Sequence, residues 1–317
     1  MRTDVTFPSA GLKLAGHLYT ASEEGMQRAA IVVGPSSSGV KEQAAGLYAE
    51  RLSREGFVAL AFDPAYQGES EGEPRGLEDA THRVEDFKAA VSYLTTRHDV
   101  VDPELIGALG ICGSGGYVIA AAAGDHRIKA VGTVAAADVP RHFRYGGDGT
   151  QDPAIFQGML DAAAAARTAE AGGEGPQTFP LFPNTAEEAF ARGGQYGLEG
   201  FEYYCTPRGQ HPRSTKQLPW ISVDRMTFFD AFRGVELIAP RPLLLIVGRE
   251  AVTSWMSVGA YQQAQDPKEL YWIEGATHVD LYDKDEYVTP AVAKLTDFYK
   301  ANLAAAADKL AGITTNA

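Results

Sequence analysis

An α/β fold is predicted, with a mostly parallel central sheet flanked by helices and an inserted helical cap. Short apolar runs alternate with amphipathic stretches of helical period over most of the 317 residues. Strands that alternate with helices form mostly parallel sheets covered on both faces. The alternation stops after Asp138 and resumes near residue 236. It therefore predicts a core of residues 1–138 and 236–317, with residues 139–235 as the cap.

The N-terminal half supplies most of this pattern. Apolar and polar residues alternate on both sides of Ser9-Ala10-Gly11, which is typical of a β-hairpin. Short apolar runs then predict buried strands, and apolar positions three and four apart predict helices between them. The predicted strands are residues 5–7, 12–19, 29–33, 57–62, 106–111 and 128–135, and the predicted helices are residues 41–54, 77–97 and 115–123.

The C-terminal part resumes the alternation. Residues 242–247 and 270–273 are predicted strands, and a last helix is predicted to begin with Thr289 as N-cap and Pro290 in its first turn. The intervening residues 139–235 hold Gly-rich and Ala-rich pieces with scattered aromatic residues. No run there resembles a buried parallel strand, so this segment is predicted to be helical.

Composition limits the classes of partner. The formal net charge is −13, which argues against nucleic acid and anionic membranes. Two cysteines are too few for a disulfide framework and suit a reducing compartment. The first residues do not resemble a signal peptide, and no apolar run is long enough to cross a bilayer. We expect a cytoplasmic protein that binds a small molecule, without metal or cofactor, with a homodimer as one possible assembly.

The segment Gly110-Ile111-Cys112-Gly113-Ser114 carries the first candidate for chemistry. A strand runs into small residues and a helix follows at once, which is what a nucleophile on a tight turn requires. The helix N-terminus favours a thiolate and a developing oxyanion. Cys112 directly follows the last apolar residue of the strand, so it is preferred to Ser114. The alternative is a Gly-rich turn with an inert buried cysteine.

A base and an acid are expected after later strands. His278 follows the last predicted strand, and the chain order nucleophile, acid, histidine is the one this architecture uses. Histidine titrates in the range needed to take a thiol proton. Glu250 is the first carboxylate after the strand at 242–247 and is the preferred acid; Asp138, at the end of the strand before the cap, is the competitor.

An oxyanion requires two N–H donors. The backbone of Gly113, directly after Cys112, is one candidate, and the loop after the strand at 29–33 offers Ser36 or Ser37 as the other. Aromatic residues of the cap are candidates for an apolar acyl pocket, although packing between cap and core explains them as well. The candidate substrate-binding residues are Tyr66, Tyr204 and Phe229.

Three segments together resemble the dienelactone-hydrolase-like branch of the α/β hydrolases. They are residues 110–116 around Cys112, Phe62-Asp63-Pro64-Ala65-Tyr66-Gln67-Gly68-Glu69-Ser70, and Ala276-Thr277-His278-Val279-Asp280-Leu281-Tyr282-Asp283. The resemblance covers nearly the whole chain and implies a triad of Cys112, His278 and an acid. The family often has His-Pro-Gly-Gly in the oxyanion loop, where this chain has Gly34-Pro35-Ser36-Ser37, and Ala251-Val252-Thr253 lacks an Asp found in some relatives.

Relatives of this branch include thioesterases and polyketide transferases. The resemblance therefore implies acyl transfer from an ester, thioester or lactone through an acyl-enzyme at Cys112. Two alternatives stay open: an acyltransferase or cyclase of natural-product biosynthesis that uses the same acyl-enzyme, and a non-catalytic protein that keeps the pocket as a receptor. The presence of Cys112, His278 and a candidate acid favours an enzyme.

Overall fold

An eight-stranded sheet forms the centre of the structure, a computed structural model that describes residues 1–20 and 26–304. The strands in these residues are β1 (Arg2–Ser9), β2 (Leu12–Tyr19), β3 (Arg28–Gly34), β4 (Val58–Phe62), β5 (Val101–Ile111), β6 (Ile128–Val134), β7 (Thr178–Pro180), β8 (Gln217–Pro219), β9 (Leu243–Gly248) and β10 (Lys268–Ile273). The order in the large sheet is β1-β2-β4-β3-β5-β6-β9-β10. β2 is antiparallel to both β1 and β4, and the remaining pairs are parallel.

Helices cover both faces of this sheet. They are α1 (Ala44–Arg54), α2 (Ala80–Thr95), α3 (Ser114–Gly124), α4 (Val139–Tyr145), α5 (Pro153–Ala171), α6 (Ala186–Cys205), α7 (Ile221–Met226), α8 (Ser254–Gln263), α9 (Asp280–Asp283) and α10 (Asp285–Asn302), with a 3₁₀ helix at Val235–Ile238. Buried residues of α2, α3 and α8 pack on one face, and those of α1 and α10 pack on the other. The predicted α/β fold with a mostly parallel sheet is confirmed.

The predicted start of the last helix is wrong. Helix α10 begins at Asp285, and Pro290 lies inside it. Asp285 and Glu286 occupy its first turn, where carboxylates interact favourably with the positive end of the helix dipole. The helix predicted for residues 41–54 also begins later, at Ala44, because Lys41 is buried in ion pairs with carboxylates, including that of Asp63 at 2.9 Å.

The strand order reverses at β3, which lies between β4 and β5. Gly34 at the end of β3 pairs with Gly110 near the end of β5. The loop after β3 and the turn after β5 therefore leave the same edge of the sheet side by side. In open α/β sheets ligands bind at this carboxyl edge, where the strand order reverses.

The chain between β6 and β9 includes residues 139–235, which we call the insert. The insert contains α4 to α7 and one small antiparallel sheet, in which β7 pairs with β8. Its strands are three residues each, consistent with the predicted lack of buried parallel strands. Across the residues described, the helices are all too short or too polar to cross a membrane.

Candidate active site

Cys112 lies on a tight turn between β5 and α3. Its φ of 54° places a residue with a side chain in the left-handed region, which favours glycine. Its carbonyl accepts hydrogen bonds from the N–H groups of Gly115 at 2.8 Å and Ala137 at 2.9 Å. A Cβ on Gly110 would stand 2.1 Å from the carbonyl oxygen of Ser114. The flanking structure therefore requires the strained conformation, and such strain is typical of a functional turn.

Ser114, the alternative to Cys112, is the first residue of α3. Its side chain is buried, and its Oγ would lie 2.8 Å from a Cβ built on Gly34. Cys112 lines the large cavity at the carboxyl edge of the sheet. The structure thus places Cys112 at the turn and Ser114 in the packing beneath it.

Two backbone N–H groups donate to the sulfur of Cys112. They belong to Gly113 and Ser37. A Cβ on Gly113 would stand 2.2 Å from Oγ of Ser37, so the close approach of the two loops requires glycine there. Ser36, the other candidate, directs its hydroxyl away to the hydroxyl of Tyr204. The two N–H groups therefore lie beside the candidate nucleophile, where they can donate to an oxyanion that forms on an attacked carbonyl.

A buried ion pair holds the loop of Ser37 in place. Nη2 of Arg83 donates to the carbonyl of Ser37 at 2.6 Å. The guanidinium also donates to both carboxylate oxygens of Glu78, at 3.0 and 2.6 Å, and all of these side chains are buried or nearly so. Charge-assisted bonds of this kind are strong and directional, so the carbonyl of Ser37 is anchored from beneath the site.

His278 lies in the loop between β10 and α9 and is fully buried. Its Nδ1 is 2.5 Å from Oγ1 of Thr253, and its Nε2 is 3.0 Å from the hydroxyl of Tyr282. That hydroxyl also forms a hydrogen bond with Cys112. Tyr282 therefore links the candidate base to the candidate nucleophile.

Burial changes the protonation of this group of residues. It lowers the pKa of His278 to about 3, with a further contribution from His142. It raises the pKa of the Cys112 thiol, against the hydrogen bonds from Tyr282, Gly113 and Ser37, which lower it. Near neutral pH the imidazole and the thiol are therefore both uncharged.

The structure does not bring Glu250 to His278, so the preferred choice of acid needs correction. Glu250 is exposed, and its N–H donates to the carbonyl of Ala276 at 2.9 Å. After β9 the chain turns through Ala251, whose N–H bonds the Gly248 carbonyl. The turn sends Glu250 to the surface and brings buried Thr253 to the ring instead.

Asp138, the competing acid, is also engaged elsewhere. Its buried carboxylate accepts hydrogen bonds from the N–H groups of Arg141 at 2.9 Å and Ala231 at 2.8 Å. Burial raises its pKa to about 6. Asp138 caps α4, a role for which aspartate is well suited. It also joins the two ends of the insert, because Ala231 lies near the far end.

A cavity of about 870 Å³ contains Cys112 and lies between the sheet edge and the insert. Most of its walls are apolar or aromatic. The core contributes Ser37, Ser38, Val252, Val279 and Tyr282, and the insert contributes Val139, His142, Phe143, Met159, Phe179, Leu181, Phe182, Tyr196 and Tyr204 among others. A cavity of this size and lining suits a small apolar ligand.

Of the three predicted substrate-binding residues, Tyr204 lines this cavity. Tyr66 does not; its ring packs against His82, with centroids 5.3 Å apart. Phe229 packs against the ring of Tyr117, with centroids 5.9 Å apart, and also lies outside the cavity walls. The structure therefore does not bring these two rings to the cavity that contains Cys112.

Four residues at the site were not predicted from the sequence: Thr253, Tyr282, His142 and Tyr196. Tyr282 follows His278 by four residues, a spacing at which side chains can meet on a helical turn, so its role was accessible to pattern reasoning. Thr253 carries no such signal. Among residues 1–20 and 26–304, no cluster of three or more His, Cys, Asp or Glu side chains could hold a metal ion.

The chain is similar to known proteins over nearly its whole length. The sequence model of the dienelactone hydrolase family matches residues 14–137. The uncharacterized protein YcjY of Escherichia coli (strain K12) is 36% identical over 302 residues, 95% of this chain and 97% of that protein. The crystal structure of the hypothetical protein PA2218 from Pseudomonas aeruginosa superposes with a TM-score of 0.88 at 35% identity, over 95% of this chain and 94% of that one.

A third relative has a name that describes an activity. The polyketide transferase grgF of a Penicillium species is 27% identical over 312 residues, 96% of this chain and 97% of that protein. The crystal structure of this α/β hydrolase, from Penicillium sp. sh18, matches with a TM-score of 0.80 at 25% identity, over 96% of this chain and 99% of that one. The similarity thus includes the insert as well as the sheet.

Proposed function

Because this chain belongs to the dienelactone hydrolase family and is an ester or thioester hydrolase or an acyltransferase, we propose that it works through an acyl-enzyme at Cys112. The substrate is an ester, thioester or lactone. One observation carries the proposal: Cys112 stands on a left-handed turn, with two backbone N–H groups on its sulfur, inside a cavity of about 870 Å³. Acyl transfer requires an exposed nucleophile, donors for the oxyanion and a cavity for the acyl group, and these three features would supply them.

In the proposed first step the sulfur of Cys112 attacks the substrate carbonyl carbon. For the proton transfer, the Tyr282 hydroxyl rotates its proton from the sulfur to Nε2 of His278. Its oxygen then accepts the thiol proton while its own proton passes to Nε2. The carbonyl oxygen becomes an oxyanion, which the N–H groups of Gly113 and Ser37 stabilise. When the tetrahedral intermediate collapses, the proton returns through Tyr282 to the leaving alcohol or thiol, and the acyl group stays on the sulfur.

The second step reverses the first with a new acyl acceptor. The acceptor loses its proton through Tyr282 to His278, attacks the thioester carbon, and leaves as the acyl product while Cys112 recovers its proton. In this proposal Thr253 accepts a hydrogen bond from Nδ1–H of His278 and so holds the tautomer whose Nε2 can take a proton. A hydroxyl thereby occupies the position that a carboxylate holds in many triads.

Proton transfer is expected to accompany attack rather than precede it. Burial makes a charged His278 unfavourable and lowers its pKa to about 3. Burial also raises the pKa of Cys112. A resting pair of thiolate and imidazolium is therefore disfavoured on both sides, in contrast to cysteine enzymes that rest as an ion pair.

We assign the insert, residues 139–235, the role of a cap that shapes the acyl pocket. Apolar side chains from α4, α5 and the β7 region line the cavity above Cys112. The apolar walls suit the acyl part of a substrate, since burial of each methylene contributes about 0.8 kcal/mol. Transfer to an acceptor other than water is the second candidate function, and the full-length relative named a polyketide transferase favours it.

The experiment is a panel of p-nitrophenyl esters, acyl thioesters and lactones, followed by product release and by intact mass. We expect the mass of the wild-type protein to increase by one acyl group during turnover, and Cys112→Ala to show no increase. Added alcohols or thiols then distinguish transfer from hydrolysis by the product formed. Turnover without an adduct, or an adduct on Cys112→Ala, would contradict the acyl-enzyme at Cys112.

A further inference from the structure

His142 is a second histidine in the walls of the cavity. It lies on α4, where Val139, His142 and Phe143 line the cavity. His142 and Phe143 follow Val139 by three and four residues, which places all three on one face of the helix. Neighbouring Arg141 lies off this face and bonds the carboxylate of Asp230 at 3.0 Å. Helix α4 thus directs His142 toward the cavity and its arginines toward the rest of the insert.

The imidazole of His142 is held among aromatic rings. Its centroid is 6.2 Å from that of Phe143 and 5.6 Å from that of Tyr196. The ring of Tyr196 contacts His278 in turn, with centroids 5.3 Å apart. His142 is therefore separated from His278 by one aromatic ring and lies to one side of the proposed reaction centre.

The protonation of His142 follows from its surroundings. Burial lowers its pKa to about 4, so the ring is neutral near neutral pH and carries one N–H. Nδ1 is enclosed and has no hydrogen-bond partner among the residues described. A buried N–H without an acceptor is rarer and more costly than an unpaired acceptor. The proton therefore belongs on Nε2, and His142 lines the cavity as a potential hydrogen-bond donor.

We propose that Nε2–H of His142 donates a hydrogen bond to an oxygen atom on the acyl chain of the substrate, away from the carbonyl that Cys112 attacks. The preferred substrates are then acyl esters or thioesters whose chain carries a keto or hydroxyl group. This inference rests on the proposed function, because it assigns the acyl chain to the part of the cavity beside His142. Because the neighbours are aromatic and apolar, an N–H of His142 without an acceptor is costly there. A substrate that supplies an oxygen at this position is therefore favoured over one that does not.

The test uses acyl thioesters of N-acetylcysteamine with one chain length and an oxo or hydroxyl group at successive positions, beside the unsubstituted chain. We expect at least one position to raise kcat/KM about tenfold over the unsubstituted chain in the wild type, a typical effect of one hydrogen bond. His142→Phe should remove this preference, so that the ratio of kcat/KM between the oxygenated and the unsubstituted chain falls to about one, whatever the absolute rates. His142→Gln, whose amide keeps a donor, should retain much of it. His126→Phe, at an exposed site, is the matched control.

Two results would overturn the inference while the proposed function stands: a wild type with no preference at any position, or His142→Phe lowering kcat/KM equally for all chains. Failure of the proposed function has a separate signature, because no thioester would then leave an acyl mass on wild-type Cys112. Thermal melting of each variant shows whether it is folded. If His142→Phe is unfolded, the folded His142→Gln and an additional His142→Leu variant decide between the outcomes by the same ratio of kcat/KM values.

Discussion

The hydroxyl of Tyr282 lies 3.0 Å from Nε2 of His278 and also forms a hydrogen bond with the thiol of Cys112. The two residues come from one short segment, since α9 begins two residues after His278 and contains Tyr282. In this geometry a proton leaving the sulfur meets a phenol before it meets an imidazole. Substitutions of these residues and of their neighbours have distinct expected effects.

Replacement of Tyr282 by phenylalanine should slow acylation. The variant keeps the ring but removes the hydroxyl that joins Cys112 to His278, so we expect kcat/KM to fall about a hundredfold, the low end of general acid–base effects. Pre-steady-state acylation measured by quenched intact mass is the appropriate assay. Tyr287→Phe, at a partly buried tyrosine five residues along the chain, is the control. An unchanged acylation rate in folded Tyr282→Phe would contradict the relay.

Substitution at the turn separates the two candidate nucleophiles. Cys112→Ala should abolish turnover and acyl-adduct formation, because it removes the sulfur to which the N–H groups of Gly113 and Ser37 donate. Ser114→Ala should retain substantial activity, since its side chain is buried in the packing of α3. Peptide mapping after iodoacetamide treatment gives the independent readout, with Cys205→Ala as control. Activity that survives in Cys112→Ala, or labelling of Cys205 alone with activity intact, would contradict the assignment.

The pH dependence of alkylation tests the uncharged resting state. Burial raises the pKa of Cys112 from its ordinary value, so the reactive thiolate is scarce at neutral pH and its fraction increases toward alkaline pH. We expect the rate of Cys112 alkylation to increase with pH through about 9 without a plateau at lower pH. A plateau between about pH 6 and 8 would indicate a thiolate paired with imidazolium His278. Labelling of the Cys205 peptide in the same samples corrects for reagent chemistry.

Thr253, whose hydroxyl contacts Nδ1 of His278, is expected to contribute to the reaction rate. Thr253→Val keeps the shape of the side chain but removes the hydroxyl that contacts the ring, so we expect kcat/KM to fall about tenfold, the equivalent of one lost hydrogen bond. Glu250→Gln should be nearly harmless because Glu250 is exposed and remote from the ring nitrogens. Equal losses in the two variants would restore Glu250 as the orienting acid.

Asp138 is expected to contribute to stability rather than to chemistry. Asp138→Ala leaves the N–H groups of Arg141 and Ala231 without their acceptor, which should lower the free energy of unfolding by about 1 to 3 kcal/mol. Asp138→Asn keeps one acceptor oxygen and should cost less. Denaturant unfolding measures both, and the acylation rate at Cys112 should fall little in either folded variant. A large loss of rate with unchanged stability would return Asp138 to the triad.

Much of the fold could be predicted from the sequence because the pattern of apolar residues along the chain matches the burial of the strands in the folded protein. Strand β9 and the C-terminal parts of β3 and β5 are continuous apolar runs, and burial on both faces requires such runs. Helix boundaries were less predictable where side-chain chemistry overrides propensity, as at Lys41, whose ion pairs hold it outside α1. Helix α8 was not predicted at all, since its short sequence has little amphipathic periodicity.

Some residues of the candidate site could be predicted from local sequence, and others depend on tertiary structure. Cys112 and Gly113 were accessible to sequence reasoning because a tight turn between strand and helix demands small neighbours around one reactive side chain. The choice between Glu250 and Thr253 depends on how the chain turns after Gly248, and a hydroxyl gives no signal of its partner. His142 gives no signal in the sequence, because the cavity it lines is created only when α4 packs over the sheet edge.

The two hydrogen bonds of Asp138 bring the ends of the insert together. The carboxylate closes the start of the insert at Arg141 and its far end at Ala231, so almost a hundred residues leave and re-enter the core at one point. Segments whose ends meet can lengthen, shorten or be exchanged at little cost to the surrounding fold. Evolution can therefore remodel the acyl pocket by changing this segment as a unit while β6, β9 and the turn at Cys112 stay unchanged. The same junction marks where a chimaera with a relative should be joined.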